Sequence, residues 1–290
     1  MDLFVQLTVT GLTNGAILAL AALGFVLIYK ASDVLNFAQG EFLLLGAYFA
    51  YAAIVQLGLP WPVGMGLTIV AAVVMGALVE RLVLRQMVGE PIISLIMVTI
   101  GLSSVLRAFV GMIWGTQPRA FPSFIPSEPV SIGPATVGTD RLWAIVVAVV
   151  LLAGFTLFFR LTRQGIAMRA VADDQQAAMS MGISVNRVFG WAWAIGAVSA
   201  ALGGAIVANI VGVGPELGHF GLYVFPVVIV GGLDSIPGAV VGGLIIGLLQ
   251  AYTRGYIGDG LEQVLPYIIL VGILLVRPYG LFGEQRVERV

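Results

Sequence analysis

The apolar runs of this chain are too long and too numerous for a fold that faces water. Stretches with few or no charges occupy roughly residues 4–29, 34–57, 61–79, 92–114, 142–159, 188–211, 220–252 and 257–276. About 20 predominantly apolar residues cross the hydrocarbon of a bilayer as a helix. Composition agrees: 59% of the 290 residues are hydrophobic and 10% are charged, whereas a soluble domain carries about 25% charge. A cytosolic enzyme, a nucleic-acid binder and a disordered tail are thereby excluded. The first run lacks a basic leader and is too long for the core of a signal peptide, so it reads as a span.

What the chain lacks narrows its chemistry further. It has no cysteine, hence no disulfide framework, thiol nucleophile or thiolate metal site. Lys30 is the only lysine, and Tyr29 precedes it where a phosphate-binding loop needs glycine. His219 is the only histidine, which leaves zinc-protease and serine–histidine chemistries without their parts. No metal site or cofactor is expected. Work against a gradient has to draw on a partner or on an ion.

Sidedness follows from the basic residues, which collect on the cytoplasmic side. Lys30, Arg81, Arg85, Arg160, Arg163, Arg169, Arg187, Arg277, Arg286 and Arg289 fall on one side, Arg119, Arg141 and Arg254 on the other, and Arg107 within a span. This puts the N-terminus outside and the C-terminus in the cytoplasm, which requires an odd number of crossings. One apolar stretch must therefore enter and return. Residues 220–252 are the candidate, because their middle reads Gly231-Gly232-Leu233-Asp234-Ser235-Ile236-Pro237-Gly238, with helix breakers and a carboxylate that lipid disfavours. The expected fold is an all-α polytopic bundle forming one transmembrane domain over residues 1–290. It has about seven full spans plus a broken helical hairpin at 220–252, re-entrant or made of two short spans.

Glycines four apart recur at Gly11/Gly15, Gly111/Gly115, Gly238/Gly242 and Gly243/Gly247. Such spacing lets membrane helices approach closely, and packing within one bundle accounts for it. Asn36-Phe-Ala-Gln39-Gly40-Glu41 opens the second span with three polar side chains. It reads either as a polar helix end at the interface or as the lining of a pathway. Arg107 lies deep in an apolar run and has three outlets: snorkelling outward, an internal salt bridge, or attraction of a substrate carboxylate. Gly212-Val-Gly214-Pro-Glu216-Leu-Gly218 lacks the strand–helix context of a dinucleotide loop and reads as an outer loop.

The basic segment from Arg160 to Arg187 is the one sizeable cytoplasmic loop. Asp173 followed by Gln176 reads as a capping box and Gly182 as a stop. Between them a helix of about two turns bears Ala177, Ala178, Met179 and Met181. A helix this short is marginal alone, so it packs on the chain's own inner face or docks on a cytoplasmic partner, for which methionine suits an adaptable contact.

Taken together these segments resemble one family, the membrane permeases of branched-chain amino acid ABC importers of the high-affinity leucine/isoleucine/valine type. The resemblance rests on Asn36 to Glu41 with Gly46-Ala-Tyr48, Thr99-Ile-Gly101-Leu-Ser103, the loop from Arg169-Ala170 to Gly182-Ile183, Gly231 to Gly242, and Arg277-Pro278-Tyr-Gly280-Leu-Phe-Gly283. It implies a bacterial inner-membrane subunit without its own ATPase site. The implied partners are a second permease (a paralogue or a copy), two cytoplasmic ATP-binding subunits that hold the ATP, and a periplasmic substrate-binding protein. Residues 160–187 then form the coupling loop, with Arg169, Ala170, Asp173, Asp174, Ala177, Ala178, Met179 and Gly182 toward an ATPase. Asn36, Gln39, Glu41, Thr99, Ser103 and Asp234 are the candidate path residues. Many relatives carry histidine where Gln39 stands, so no proton handling is implied there. Closely similar permeases carry other amino acids, urea or short amides. The rival reading is an ion-coupled secondary transporter using Glu41 or Asp234 as its ion site.

Overall fold

The structure is a computed structural model that describes residues 2–87, 90–122, 128–132 and 135–283. Of the basic residues used above, Arg286 and Arg289 lie outside the described residues. Helix α1 (Asp2–Ser32) is followed by α2 (Gln39–Tyr51), which continues into a wider π turn (Ala52–Gln56), then by α3 (Trp61–Leu82) and α4 (Ile92–Trp114). Strands β1 (Pro129–Ile132) and β2 (Ala135–Gly138) lead into α5 (Thr139–Leu161). Two short helices, α6 (Arg163–Asp173) and α7 (Gln175–Ser180), connect to α8 (Val185–Val211). A 3₁₀ turn (Pro215–His219), α9 (Phe220–Gly231), α10 (Ile236–Tyr256) and α11 (Leu261–Val276) follow. Helices α1, α3, α4, α5, α8 and α10 are long and apolar enough to cross a membrane, and the apolar α9 and α11 are shorter. The chain is a polytopic helical membrane protein.

The antiparallel hairpin β1–β2 departs from the all-α expectation. Val130, Thr136 and Val137 favour strand. Gln6 of α1 adds a side-chain rung: its amide donates to the Thr136 carbonyl at 2.8 Å and accepts the Thr136 N–H at 2.7 Å.

Two parts of the chain share one plan. In both α1–α4 and α8–α11, a long helix gives way to a non-helical break, a shorter helix and two more helices. Gly11 and Gly15 of α1 lie against Gly247 and Gly243 of α10, Gly76 of α3 lies against Trp193 of α8, and α1 crosses α8 where Gly24 meets Gly196. The glycine pairs of α1 and α10 thus serve packing within the bundle, by the close approach that small residues allow. Gly111 of α4 faces almost open space and Gly115, at φ +80°, ends that helix, so this pair packs against no other helix among the described residues. The two parts run in opposite senses, as in membrane proteins built from inverted repeats.

This alternation sorts the charges. Lys30, Arg81, Arg85, Arg160, Arg163, Arg169, Arg187 and Arg277 gather at one end of the bundle, which we call the basic end, and Arg119, Arg141 and Arg254 at the other.

Candidate functional site

The polar opening of the second span lies inside the bundle. Residues 33–38 are not helical, yet Val34, Asn36 and Ala38 are buried. Buried backbone needs partners, and Asn36 provides them. Its Oδ1 accepts the Ala38 N–H at 3.0 Å and its Nδ2 donates to Gln39 Oε1 at 3.1 Å. Gln39 Nε2 in turn donates to the Ala21 carbonyl of α1 at 3.4 Å. Helix α4 closes over the break through Thr99, whose hydroxyl reaches the Ile96 carbonyl of its own helix at 3.0 Å and the Leu35 carbonyl at 3.2 Å. The structure therefore unites Asn36, Gln39 and Thr99. One turn along α4, Ser103 is half-buried and bonds back to the Ile100 carbonyl.

Glu41, in the first turn of α2, has a side chain only 3% exposed and pairs with Arg107 Nη2 of α4 at 2.5 Å, while Arg107 remains 46% exposed. Of the three outlets open to Arg107, the internal salt bridge is the one present. The peptide dipoles of the α2 N-terminus add to the stabilisation of the carboxylate. A Cβ on Gly218 would lie 3.4 Å from both partners, and Gly40 rests directly on Gly218 and Gly221. Residues 212–218 are therefore no ordinary outer loop. Val213 pairs in both directions with Arg119, and Leu217 and Gly218 are buried beside the ion pair. The signal for this was the Gly-Pro-x-x-Gly spacing, which marks a backbone that must bend and be approached closely.

Asp234 lies elsewhere, at the basic end. Its carbonyl accepts from Lys30 Nζ at 3.0 Å, and it borders a cavity of about 210 Å³ with Arg160 and Arg169. The break between α9 and α10 falls where the sequence placed it: Gly232 has φ +112°, and Ser235 caps α10 by accepting the Gly238 N–H at 3.1 Å. The C-terminal turn seals the same point. The N–H groups of Leu281 and Phe282 donate to the Val230 and Gly231 carbonyls at 2.9 and 3.0 Å. Two motifs far apart in sequence thus form one joint.

The connection at the basic end holds two helices where the sequence suggested one. Asp173 is the last residue of α6 and does not cap α7. Asp174, in extended conformation, does so, its Oδ1 accepting the Gln176 and Ala177 N–H groups at 2.8 and 2.9 Å. Thr162 caps α6, which places Arg169 and Ala170 on that helix, with Met168 and Val171 buried beneath. Gly182 ends α7 at φ +82°, with its N–H on Met179 and that of Ile183 on Ala178, a paired closure that only an unhindered residue takes easily. Ala178 is buried, whereas Ala177 and Met179 face outward, Met179 at 54% exposure.

The opposite end holds residues the sequence reading missed. A cavity of about 550 Å³ lies among the ends of α1, α5, α8, α9, α10 and α11, lined in part by Asn14, Arg141, Gln250 and Glu262. The available signal was Asn14, a lone amide between Gly11 and Gly15 in an apolar run.

Comparison with known proteins bears on this architecture. The family described as branched-chain amino acid transport system / permease component matches residues 7–274. The high-affinity branched-chain amino acid transport system permease protein LivH of Escherichia coli K12 is 31% identical over 99% of this chain and 98% of its own length. The high-affinity branched-chain amino acid transport system permease protein BraD of Pseudomonas aeruginosa is 31% identical over the same shares. A probable branched-chain amino acid transport permease protein LivH of Methanocaldococcus jannaschii is 27% identical over 92% and 89%. No solved structure matches this chain. With its buried polar crossing and inverted halves, this multi-pass membrane chain belongs to the permease component family of branched-chain amino acid transport systems.

Proposed function

We propose that this chain is the membrane subunit of an ATP-driven importer of branched-chain or related amino acids in the bacterial cytoplasmic membrane. It pairs with a second permease, a paralogue or a copy of itself. Two cytoplasmic subunits bind and hydrolyse ATP, and a periplasmic binding protein delivers the substrate. The basic end faces the cytoplasm. Helices α1 to α5, α8 and α11 make seven crossings and α9–α10 the hairpin, which leaves the N-terminus outside and the C-terminus inside.

The observation that carries this reading is α7, a capped six-residue helix with Ala177 and Met179 turned away from the bundle at the basic end. Alone such a helix is marginal. Anchored by Ala178 beneath and fixed at both ends, it offers a rigid knob to a partner. ATP-driven closure of the partner pair pushes α6–α7, and α6 passes the movement to α5 and α8. The permease pair then reorients about a path at its interface. Asn36, Gln39, Glu41, Thr99 and Ser103 supply polar groups along that path, and Asp234 stands at its cytoplasmic exit. The ion-coupled alternative has less to work with, since Glu41 is already committed to Arg107.

The test is reconstitution of the complete transporter in vesicles. L-leucine uptake is expected to require ATP and to persist when proton and sodium gradients are collapsed. Accumulation driven by a gradient alone overturns the reading. Ala177→Arg is expected to lower uptake at least about tenfold, the equivalent of some 1.4 kcal/mol of docking energy, with membrane insertion unchanged on blots of the membrane fraction.

A further inference from the structure

We infer that the outer cavity is a holding site for a zwitterionic amino acid, entered before the polar crossing. This rests on the importer reading and adds a binding site to it. Three observations converge on the cavity. Its volume, about 550 Å³, falls within the range of small-molecule sites. It brings both charge signs to one space: among the described residues the Arg141 guanidinium makes no ion pair or hydrogen bond, and the Glu262 carboxylate is held there through Oε2 alone, by the Gly260 N–H at 2.6 Å. Arg254, by contrast, is spent on Asp259 at the exposed rim.

The third observation is Asn14. Its amide lies on α1 among apolar neighbours, lines the cavity, and has no side-chain hydrogen bond among the described residues. An amide at membrane depth without a protein partner is expensive unless it faces water or a ligand. Ile17, one turn along the same face of α1, and Val207 and Ile210 of α8 add an aliphatic wall. A carboxylate acceptor, an ammonium acceptor, a free amide and an aliphatic wall around one cavity match a neutral amino acid with a branched apolar side chain. Arg141 takes the α-carboxylate, Glu262 the α-ammonium, Asn14 hydrogen-bonds either group, and the wall takes the side chain.

The absence of cysteine from the chain makes a clean test available. Thr10→Cys places a single thiol on the cavity lining, and its modification by a small methanethiosulfonate reagent is followed by the mass of this chain in the assembled transporter, without binding protein. L-leucine at ten times its dissociation constant is expected to slow modification about tenfold. 4-Methylpentanoate, which lacks the ammonium, and 3-methylbutylamine, which lacks the carboxylate, are expected to protect far less. Arg141→Gln or Glu262→Gln in the same background is expected to weaken leucine protection about ten- to a hundredfold, the loss of one charge-assisted contact. Leucine uptake by the complete transporter is measured in parallel. If uptake proceeds but leucine leaves modification unchanged, or the two variants protect as the parent does, the holding site is overturned and the importer reading stands. If protection is seen but ATP drives no leucine uptake, the site stands and the importer reading falls.

Discussion

Helices α1 and α4 have the same mean hydropathy, 2.0 over their most apolar windows, yet 89% of that window is buried in α1 and 6% in α4. Apolar character alone therefore does not decide which membrane helix is interior, because lipid is as good a solvent for leucine as a protein core is. Size decides it. α1 carries Gly11, Gly15 and Gly24 against the backbones of α10 and α8. α4 presents Ile93, Met97, Val105 and Met112 outward and touches the bundle chiefly through Thr99, Val110, Trp114 and the Arg107–Glu41 pair. The contrast also has a biosynthetic side. The surfaces that bury α1 belong to α8 and α10, made long afterwards, so α1 must first be as comfortable in lipid as α4 remains.

The contrast is easiest to break at the glycines. In Gly15→Leu even the Cβ would meet the backbone at Gly243 and Leu244 at 2.8 Å, so the cost goes well beyond the about 1–3 kcal/mol of ordinary overpacking. Loss of a monodisperse, protease-resistant permease in detergent is expected, the largest effect of the set. Arg107→Met should follow. It leaves the buried Glu41 carboxylate unpaired, at a cost below the about 3–5 kcal/mol of a fully buried pair because Arg107 is itself 46% exposed, and lowers the thermal midpoint, whereas Arg107→Met with Glu41→Gln together recovers most of the loss. Asn36→Leu removes the acceptor of the Ala38 N–H and the donor to Gln39, about 1–3 kcal/mol per stranded group, readable in the same melting experiment. The smallest effect belongs to α4. A Cβ on Gly101 meets nothing within 4 Å, so Gly101→Leu should stay within about 0.5 kcal/mol of the parent. If it instead splits the permease pair on size exclusion, that face of α4 contacts the second subunit and the contrast sharpens from lipid-facing to partner-facing.

The fold was legible wherever backbone chemistry is local. Gly232, Pro237 and Ser235 announce the end of α9 and the start of α10, and Gly182 announces the end of α7. The cap of α7 was misplaced by one residue because two aspartates stand side by side and α6 extends through the first of them. The hairpin at 129–138 was missed because only short β-favouring runs mark it. Of the site, Asn36, Gln39 and Thr99 were legible as polar groups with nowhere cheap to go. Their partners were not: Gln39 reaches Ala21 on α1 and Thr99 reaches Leu35 in the break before α2, and only the packed bundle brings these close, as it brings Arg107 to Glu41. Asp234 illustrates the same limit. Its cost in lipid was clear, but its place beside Lys30 at the basic end depends on the crossing of helices far apart in sequence.

The joint between the C-terminal turn and α9 sets an order of assembly. The last carbonyls of α9 are satisfied by the N–H groups of Leu281 and Phe282, residues that emerge from the ribosome some fifty positions later. Until then the last carbonyls of that short helix lack these partners. This latch can close only after residues 281 and 282 have been made, so a nascent fragment stopped before that turn would be left unlatched and open to clearance by membrane proteases.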